Sequence, residues 1–460
     1  MTKRPELLLV NPWVHDFALY DMWAKPMGLL VLASRLRRLG WEPRLLDCLD
    51  VDHPDMKALK RKPHAHGRFA RTAIPKPACL QHVARSYSRY GVEPELIRKE
   101  LSSISAPAAI LVTGIMTYWY PGVREVVEIL KEYFPGTPML LGGIYASLMP
   151  DHAREHCAVD EVLTGPGEET LEAALFRHTG ISAQTDLDHD PLEFTPALDL
   201  MNKVRFLPLL TSRGCPFRCA YCASGKLAPA FVRRRPKDVV DEIEAAAARY
   251  GVRDIALYDD AFLVDAHEHA LPILETAAER VPGLTWHSPN GLHASAIDSG
   301  TASVMKSAGF HTIRIGLESS SDQFHSTTGG KTDMAGFLSA VTNLKEVGFT
   351  SDRIGVYLLV GLPGQTRARI EDDVDRVLRA GALPKLAEYS PIPGTPMWPA
   401  ALGATRYPID KEPLFHNCTL LPAADPDVDW DFLRATRNRI RESIDSALAA
   451  KADHSDGLEE

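Results

Sequence analysis

Short apolar runs alternate with segments of helical period along most of this chain, and that alternation narrows the possible folds more than any other feature. In the first 180 residues LLLV (7–10), PRLLDCL (43–49), AAILVTG (108–114), PMLLGG (138–143) and DEVLTG (160–165) read as strands. Between them MGLLVLASRLRRLG (27–40), VREVVEILKEYF (123–134) and EETLEAALFRH (168–178) carry apolar residues three and four apart, and Gly40 closes the first of these. A strand that is apolar on successive residues has both faces buried, so helices must cover both sides. The expected class is α/β, beginning with a doubly wound parallel sheet.

The loops after these strands are rich in glycine, where the backbone can turn tightly or approach a ligand. Thr113, Gly114, Met116 and Thr117 follow one strand, Gly142, Gly143, Tyr145 and Ser147 the next, and Gly165, Gly167 and Glu168 the last. No GxGxxG dinucleotide fingerprint is present, and turn formation alone is the simpler reading of these glycines. A His-, Arg-, Lys- and Pro-rich insertion at 51–105 fits no simple crossover. Its length is that of a lid or an interdomain contact, with disorder as the next choice. The polar stretch 186–205 reads as a linker, which bounds a first domain at 1–185.

Alternation then resumes. FLPLLTS (206–212), DIALY (254–258), LTWHS (284–288), TIRIGL (312–317), RIGVYLLV (353–360) and KLAEYS (385–390) are expected strands. Helices such as PKDVVDEIEAAAARYG (236–251), FLSAVTNLKEVG (337–348) and RARIEDDVDRVLRAG (367–381) fall between them, several ending at glycine. Six such repeats across 206–400 predict a partial (β/α)6 barrel, in which chemical groups emerge at the C-terminal ends of the strands. The C-terminal extension 401–460 is proline-rich at first, then helical over 430–450, and its last ten residues read as frayed. Trp398, Tyr407, Phe415 and His416 suit either closing the barrel mouth or ordinary packing.

A chain of 460 residues exceeds what a single core usually organises, in keeping with two domains. The net charge of -9 argues against nonspecific binding to nucleic acid or anionic membrane. The basic run Arg233-Arg234-Arg235 reads as a solvated or acid-paired helix start. Seven cysteines and the absence of a signal-peptide pattern at MTKRPELLLVNPW point to a reducing cytoplasm, and no apolar run is long enough to span a membrane. Cys48, Cys79, Cys157 and Cys418 are scattered and read as small buried hydrophobes.

The other three cysteines stand together. Cys215, Cys219 and Cys222 in TSRGCPFRCAYCAS (211–224) give the spacing Cys-x-x-x-Cys-x-x-Cys directly after the first strand of the second half. A four-iron cluster usually takes one cysteine per iron, so three thiolates with no fourth neighbour leave one iron open to a substrate or cofactor. Structural zinc would need a fourth ligand, and none stands at the required spacing; His267 and His269 lie far along the chain. A redox pair of Cys219 and Cys222 would leave Cys215 without a role. Arg213 and Arg218 flank the cysteines, either stabilising thiolates or facing solvent.

This loop resembles the cluster motif of the radical S-adenosylmethionine (SAM) superfamily, with Tyr221 just before the last cysteine. Further segments fall in that family's order: RRRPKDVVDEIE (233–244), ALYDDAF (256–262), IRIGLESSSDQFHSTTGGKT (313–332), VYLLVGLPGQT (356–366) and YSPIPGTPMW (389–398). The resemblance implies a 4Fe-4S cluster on Cys215, Cys219 and Cys222, whose open iron chelates SAM for reductive cleavage to a 5'-deoxyadenosyl radical. It places Tyr221 near the adenine, Asp259 or Asp260 at the methionine ammonium, Glu318 and Ser319 at the ribose or methionine, and Gly361 and Gly364 along the adenine. Glu318 pairing with Arg314, and a plain turn at GLPG, are the structural alternatives.

The N-terminal half resembles the cobalamin-binding domain that precedes the radical SAM domain in one branch of that superfamily, through NPW, KPMGLLVLASRLRRLGWEPRLLD, GGIYAS and GPGEET. The Asp-x-His-x-x-Gly signature of a cobalt-ligating histidine is absent there. The resemblance therefore implies cobalamin held by the loops at Thr113–Thr117, Gly142–Ser147 and Gly165–Glu168, with no protein histidine on cobalt. The expected function is cobalamin-dependent methyl transfer to an unactivated carbon of a small-molecule or natural-product-like substrate, with a flavodoxin or ferredoxin as reductant. Radical cyclisation, rearrangement or oxidation without methylcobalamin is the alternative enzyme, and a non-catalytic cobalamin or iron-sulfur binding protein the alternative of another class.

Overall fold

The computed structural model describes residues 4–182 and 195–455, with side chains described to residue 443. The remainder of the expected linker, 186–194, lies outside the described residues. Two compact units are formed. The first comprises Met1–Pro208, Lys226–Val232 and Ile409–Leu420, and the second Leu209–Gly225, Arg233–Pro408 and Leu421–Glu460.

Five parallel strands build the first unit: β1 (Glu6–Asn11), β2 (Glu42–Asp47), β3 (Ala109–Thr113), β4 (Met139–Gly142) and β5 (Glu161–Val162), in the order β2-β1-β3-β4-β5. This is a doubly wound order, with its switch point between β1 and β3. Leu7, Leu9, Leu111 and Leu140 pack on one face against α1 (Met27–Arg38) and the helix Gly167–Thr179. Leu8, Val10, Ile110 and Val112, which alternate with them, are equally buried, so both faces are covered as the continuous apolar runs require.

The 51–105 insertion is ordered, which corrects the alternative reading of it as a disordered segment. Arg71–Ala73 and Ser88–Tyr90 form an antiparallel sheet with Val14–Asp16 inside the first unit, and α2 (Pro94–Ser102) is the crossover into β3. After β3 comes α3 (Tyr120–Tyr133), and α4 (Gly167–Thr179) follows β5 and ends on a left-handed glycine, Gly180. The 401–460 extension is divided rather than separate. Residues 409–420 belong to the first unit, where His416 Nδ1 lies 2.7 Å from Thr117 Oγ1 and Asn417 donates to Asp16 at 2.8 Å. Phe415 and His416 are packing residues of the first unit.

Six strands make the second sheet: β6 (Leu207–Leu209), β7 (Asp254–Leu257), β8 (Thr285–His287), β9 (Phe310–Glu318), β10 (Ile354–Val360) and β11 (Leu383–Glu388). They neighbour one another in chain order, and the pairs from β7 to β11 are parallel. The interleaved helices are α5 (Pro236–Tyr250), α6 (Ala270–Arg280), α7 (Ser299–Ser307), α8 (Asp322–Thr328), α9 (Met334–Glu346) and α10 (Arg367–Arg379), with α11 (Trp430–Ser455) after them. Local chemistry sets their ends: Ser321 and Thr366 accept from Phe324 N and Arg369 N at the starts of α8 and α10, and Gly251 ends α5 in the left-handed region. Among the described residues no helix is long and apolar enough to cross a membrane.

Candidate functional site

The cysteine loop leaves β6 at its C-terminal end, and a buried polar network holds that end. Asp259, just past β7, accepts from Thr211 N at 3.1 Å, Thr211 Oγ1 at 2.7 Å and Ser212 Oγ at 2.6 Å. His269 Nε2 lies 3.0 Å from Thr211 Oγ1. Because that hydroxyl donates to Asp259, it accepts from His269, which assigns the proton to Nε2. Arg234 closes the same corner, bonding Leu210 O at 2.9 Å and Glu242 at 2.7 Å. Arg235 pairs with Asp238 and Arg233 with Asp265, so the basic run is acid-paired throughout.

These bonds set the two aspartates apart. Asp259 is buried and bonded to Thr211 and Ser212 at the strand end, chiefly through Oδ1. Asp260 keeps a solvent-exposed face and is the carboxylate available at this strand end. Desolvation by its surroundings raises its pKa, against a hydrogen bond from Ser224.

All three cysteines are free thiols, and Cys222 is exposed. Ser224 lies against the Cys222 sulfur: its backbone N–H donates to the sulfur at 3.4 Å, which suits a thiolate, and its hydroxyl oxygen accepts from the thiol at 3.2 Å. Burial raises the Cys215 and Cys219 thiols, while nearby Lys331 pulls Cys219 down. Phe217 in the loop stacks on His293, ring centroids 4.5 Å apart, and Tyr221 stacks on Phe324 at 6.2 Å. Arg218 lies along the loop, donating to Cys215 O at 3.4 Å.

A second loop docks on this one. Ala220 N donates to Thr328 O at 2.8 Å, and Gly329, at φ +121°, comes so close that a Cβ there would sit 3.1 Å from the Cys219 Cα. The dock brings Lys331 in. Its ammonium pairs with Glu318 at 2.5 Å and lies 5.8 Å from the Tyr221 ring centre. Both partners are largely buried, with side-chain exposures of 14% and 11%. Glu318 is thus paired with Lys331 and not with Arg314, and it ends β9 at φ +67°, a conformation rare for a residue with a side chain. Gly316 leaves the room, since a Cβ there would sit 2.8 Å from both charged groups.

The remaining expected residues past β9 and β10 are mostly held by their neighbours. Ser319 and Ser320 both donate to Asp373, which also pairs with Arg369 at 2.5 Å. Gly361 has φ +81° and its N–H donates to Gln365 at 2.9 Å, so GLPG is a closed turn. Gly364, at φ +73°, has no atom within 4 Å of a would-be Cβ. It opens on a cavity of about 410 Å³ that Ser319, Phe324 and Arg369 also line.

In the first unit the expected loop residues separate into two sets. Tyr145 is fully buried, bonding His152 at 2.7 Å, and Thr117 is buried against His416, so the side chains of both are engaged within the unit. Gly143, at φ +93°, packs on Thr113 and Gly114, either of which a Cβ would meet at 2.7 Å. Ser147 ties two of the loops together, donating to Gly143 O at 2.9 Å and accepting from Gly165 N at 3.0 Å. The open set lies along the rim: Gly142 and Gly165 have nothing within 4 Å of a would-be Cβ, Ile115 is 39% exposed, and Met116, Gly167 and Glu168 are half-buried. Peptide groups and an apolar side chain at the carboxyl edge of a parallel sheet suit a large cofactor approached by backbone. His416 is bonded through both ring nitrogens, to Thr117 and Ile409 O, and His152 through Nδ1 to Tyr145.

Lys331, Ser224, His293 and Phe324 were not anticipated from sequence. Only the GGK glycines hinted at the close approach that carries Lys331.

Residues 209–377 match the family described as the radical SAM superfamily, and residues 86–175 match the B12 binding domain. An uncharacterized methyltransferase of Pyrococcus horikoshii is 22% identical over 60% of this chain and 66% of its own length. The anaerobic magnesium-protoporphyrin IX monomethyl ester cyclase of Cereibacter sphaeroides is 24% identical over 67% of this chain and 55% of its own. The chain thus spans less than two thirds of either curated relative. Among solved structures, the radical SAM methyltransferase TsrM of Kitasatospora setae, with cobalamin and a [4Fe-4S] cluster bound, superposes with a TM-score of 0.63 at 18% identity, over 88% of this chain and 76% of that one. The two matched domains bring a 4Fe-4S cluster, SAM and cobalamin as cofactors.

Proposed function

Because the chain belongs to the radical SAM superfamily, in the branch with a B12-binding domain ahead of the radical SAM domain, we propose that it is a cobalamin-dependent radical SAM methyltransferase acting on an unactivated carbon of a small molecule. The observation that carries the reading is the loop of three free thiols at the C-terminal end of β6, in a chain whose other unit has an open rim of backbone at the carboxyl edge of a B12-type sheet. When bound, the cluster supplies the electron that cleaves SAM to a 5'-deoxyadenosyl radical, and cobalamin carries the transferred methyl group.

In this reading Cys215, Cys219 and Cys222 hold the cluster, and the Ser224 backbone N–H supports the Cys222 thiolate. Asp260, the more open of the two aspartates, receives the SAM ammonium. Tyr221 and Phe324 give an aromatic wall on the adenine side, with Gly364 open beside them. Glu318, fixed by Lys331, and Ser319, fixed by Asp373, face the ribose and methionine. Phe217 packs on His293 beside the loop. A small ferredoxin or flavodoxin supplies electrons.

Protein reconstituted anaerobically with iron, sulfide and cobalamin is expected to show cobalamin absorption and, under reductant, to yield both S-adenosylhomocysteine and 5'-deoxyadenosine. The cyclase among the relatives favours a second reading, radical cyclisation or rearrangement. Formation of 5'-deoxyadenosine alone would select that reading. An intact cluster with no SAM cleavage would sink both.

A further inference from the structure

On the side of the second sheet away from its helices, three adjacent strands present an unusual trio. Ile313, Ile315 and Leu317 of β9 and Val356, Leu358 and Val360 of β10 are buried, and Val360 packs with Ile370 of α10. Period-two alternation puts Arg314 and Tyr357 on the opposite face. Lys385 of β11 is the register partner of Tyr357, and Arg314 lies one step below it beside Gly355. Gly355 and Gly316 make room on this face for charged side chains: a Cβ on Gly355 would sit 2.7 Å from the Arg314 guanidinium, and one on Gly316 2.8 Å from Glu318 and Lys331.

The charges of this patch are not balanced. Among the described residues no carboxylate bonds Arg314 or Lys385. Glu318, the acid nearest along β9, is taken by Lys331, and Asp254 on β7 bonds His287 at 3.0 Å. Arg314 donates to Ile313 O at 2.8 Å, and the Tyr357 hydroxyl beside it donates to Pro289 O at 2.7 Å. Burial lowers both cations, Lys385 further through its proximity to Arg314. Two partly buried like charges on one sheet face cost stability unless something negative completes them.

We propose that Arg314 and Lys385, with Tyr357 between them, form a subsite for an anionic oxygen group of the substrate, a phosphate or a carboxylate. The inference rests on the proposed function, and it narrows the substrate to a molecule that carries its negative group into the sheet's inner face while its reacting carbon stays toward the cysteine loop. A guanidinium and an ammonium together favour a group with several charged oxygens.

The test uses full-length reconstituted protein and thermal unfolding, with inorganic phosphate and acetate as probes against sodium chloride of equal ionic strength. An anion that binds only the folded state raises Tm. Phosphate protecting more than acetate would select phosphate substrates, and the reverse carboxylates; protection by neither would overturn the subsite. Lys385→Met is expected to weaken the better anion about tenfold, or about 1.4 kcal/mol, and to leave Tm without anion unchanged or higher, because it removes an uncompensated charge. Lys385→Gln gives a second, gentler variant. A lower Tm in Lys385→Met without anion, or protection that survives both variants, would overturn the proposal. SAM cleavage read on the same preparations separates the two claims: protection that persists where cleavage fails counts against the radical SAM reading alone.

Discussion

Single residues decide most of what this site can do, and the contrast between Asp259 and Asp260 shows how. The two stand side by side in sequence, yet one is spent on Thr211 and Ser212 while the other keeps an open face. Lys331 makes a similar point through energy. It neutralises a buried carboxylate, and breaking a buried pair by removing one partner typically costs about 3–5 kcal/mol. Lys331→Met is therefore expected to lower unfolding stability by roughly 3 kcal/mol, read as a shift of the urea midpoint, with Lys331→Arg recovering most of it. The three cysteines were legible because ligand chemistry is written in residue type and spacing. Lys331 was not, because it reaches Cys219 through a docking of loops that spacing does not encode. Nor could sequence tell Asp259 from Asp260, since what separates them is a hydrogen-bond network across two strand ends.

Whole elements were easier to read than their junctions. The strands and helices follow from period and from capping residues, and their observed ends lie close to the expected ones, though β9 starts earlier, at Phe310, and β5 shrinks to Glu161–Val162. What escaped was how elements touch. Gly122, in the first turn of α3, carries no signal in sequence, but a Cβ there would lie 2.0 Å from Trp13 O. Helix propensity alone favours alanine over glycine by about 1 kcal/mol, and the contact reverses the sign. Gly122→Ala should destabilise the protein by at least about 2 kcal/mol. Gly28, near the start of α1, has nothing within 4 Å, and Gly28→Ala should stabilise by about 0.5 kcal/mol. Paired denaturant titrations would check both; equal effects of the two substitutions would contradict the packing argument.

At the scale of the molecule, buried histidines set the acid limit. Burial holds His152, His269, His293 and His416 neutral, each with its pKa lowered to about 4. The unfolded chain takes up protons near pH 6.5, so it binds more of them than the folded one between there and pH 4. The stability these groups permit is complete above about pH 6.5 and is lost as pH falls through that window, by up to about 1.4 kcal/mol per pH unit for each. A His416→Gln variant should be less stable at pH 7 but show a shallower decline toward pH 4 in urea midpoints; an unchanged slope would count against the assignment. Domain order was readable from the alternation of patterns, but the return of 409–420 to the first unit was not, because a proline-rich segment without periodicity does not announce its partners. That return bears on how the protein is made. A ribosome delivers roughly 5–20 residues per second, so the first unit, nearly complete once Pro208 has emerged, waits about 10–40 s for its last segment, Ile409–Leu420, while the second is being synthesised. Until then Thr117 lacks His416 and Asp16 lacks Asn417, so the nascent N-terminal half is completed only after the second unit has been synthesised.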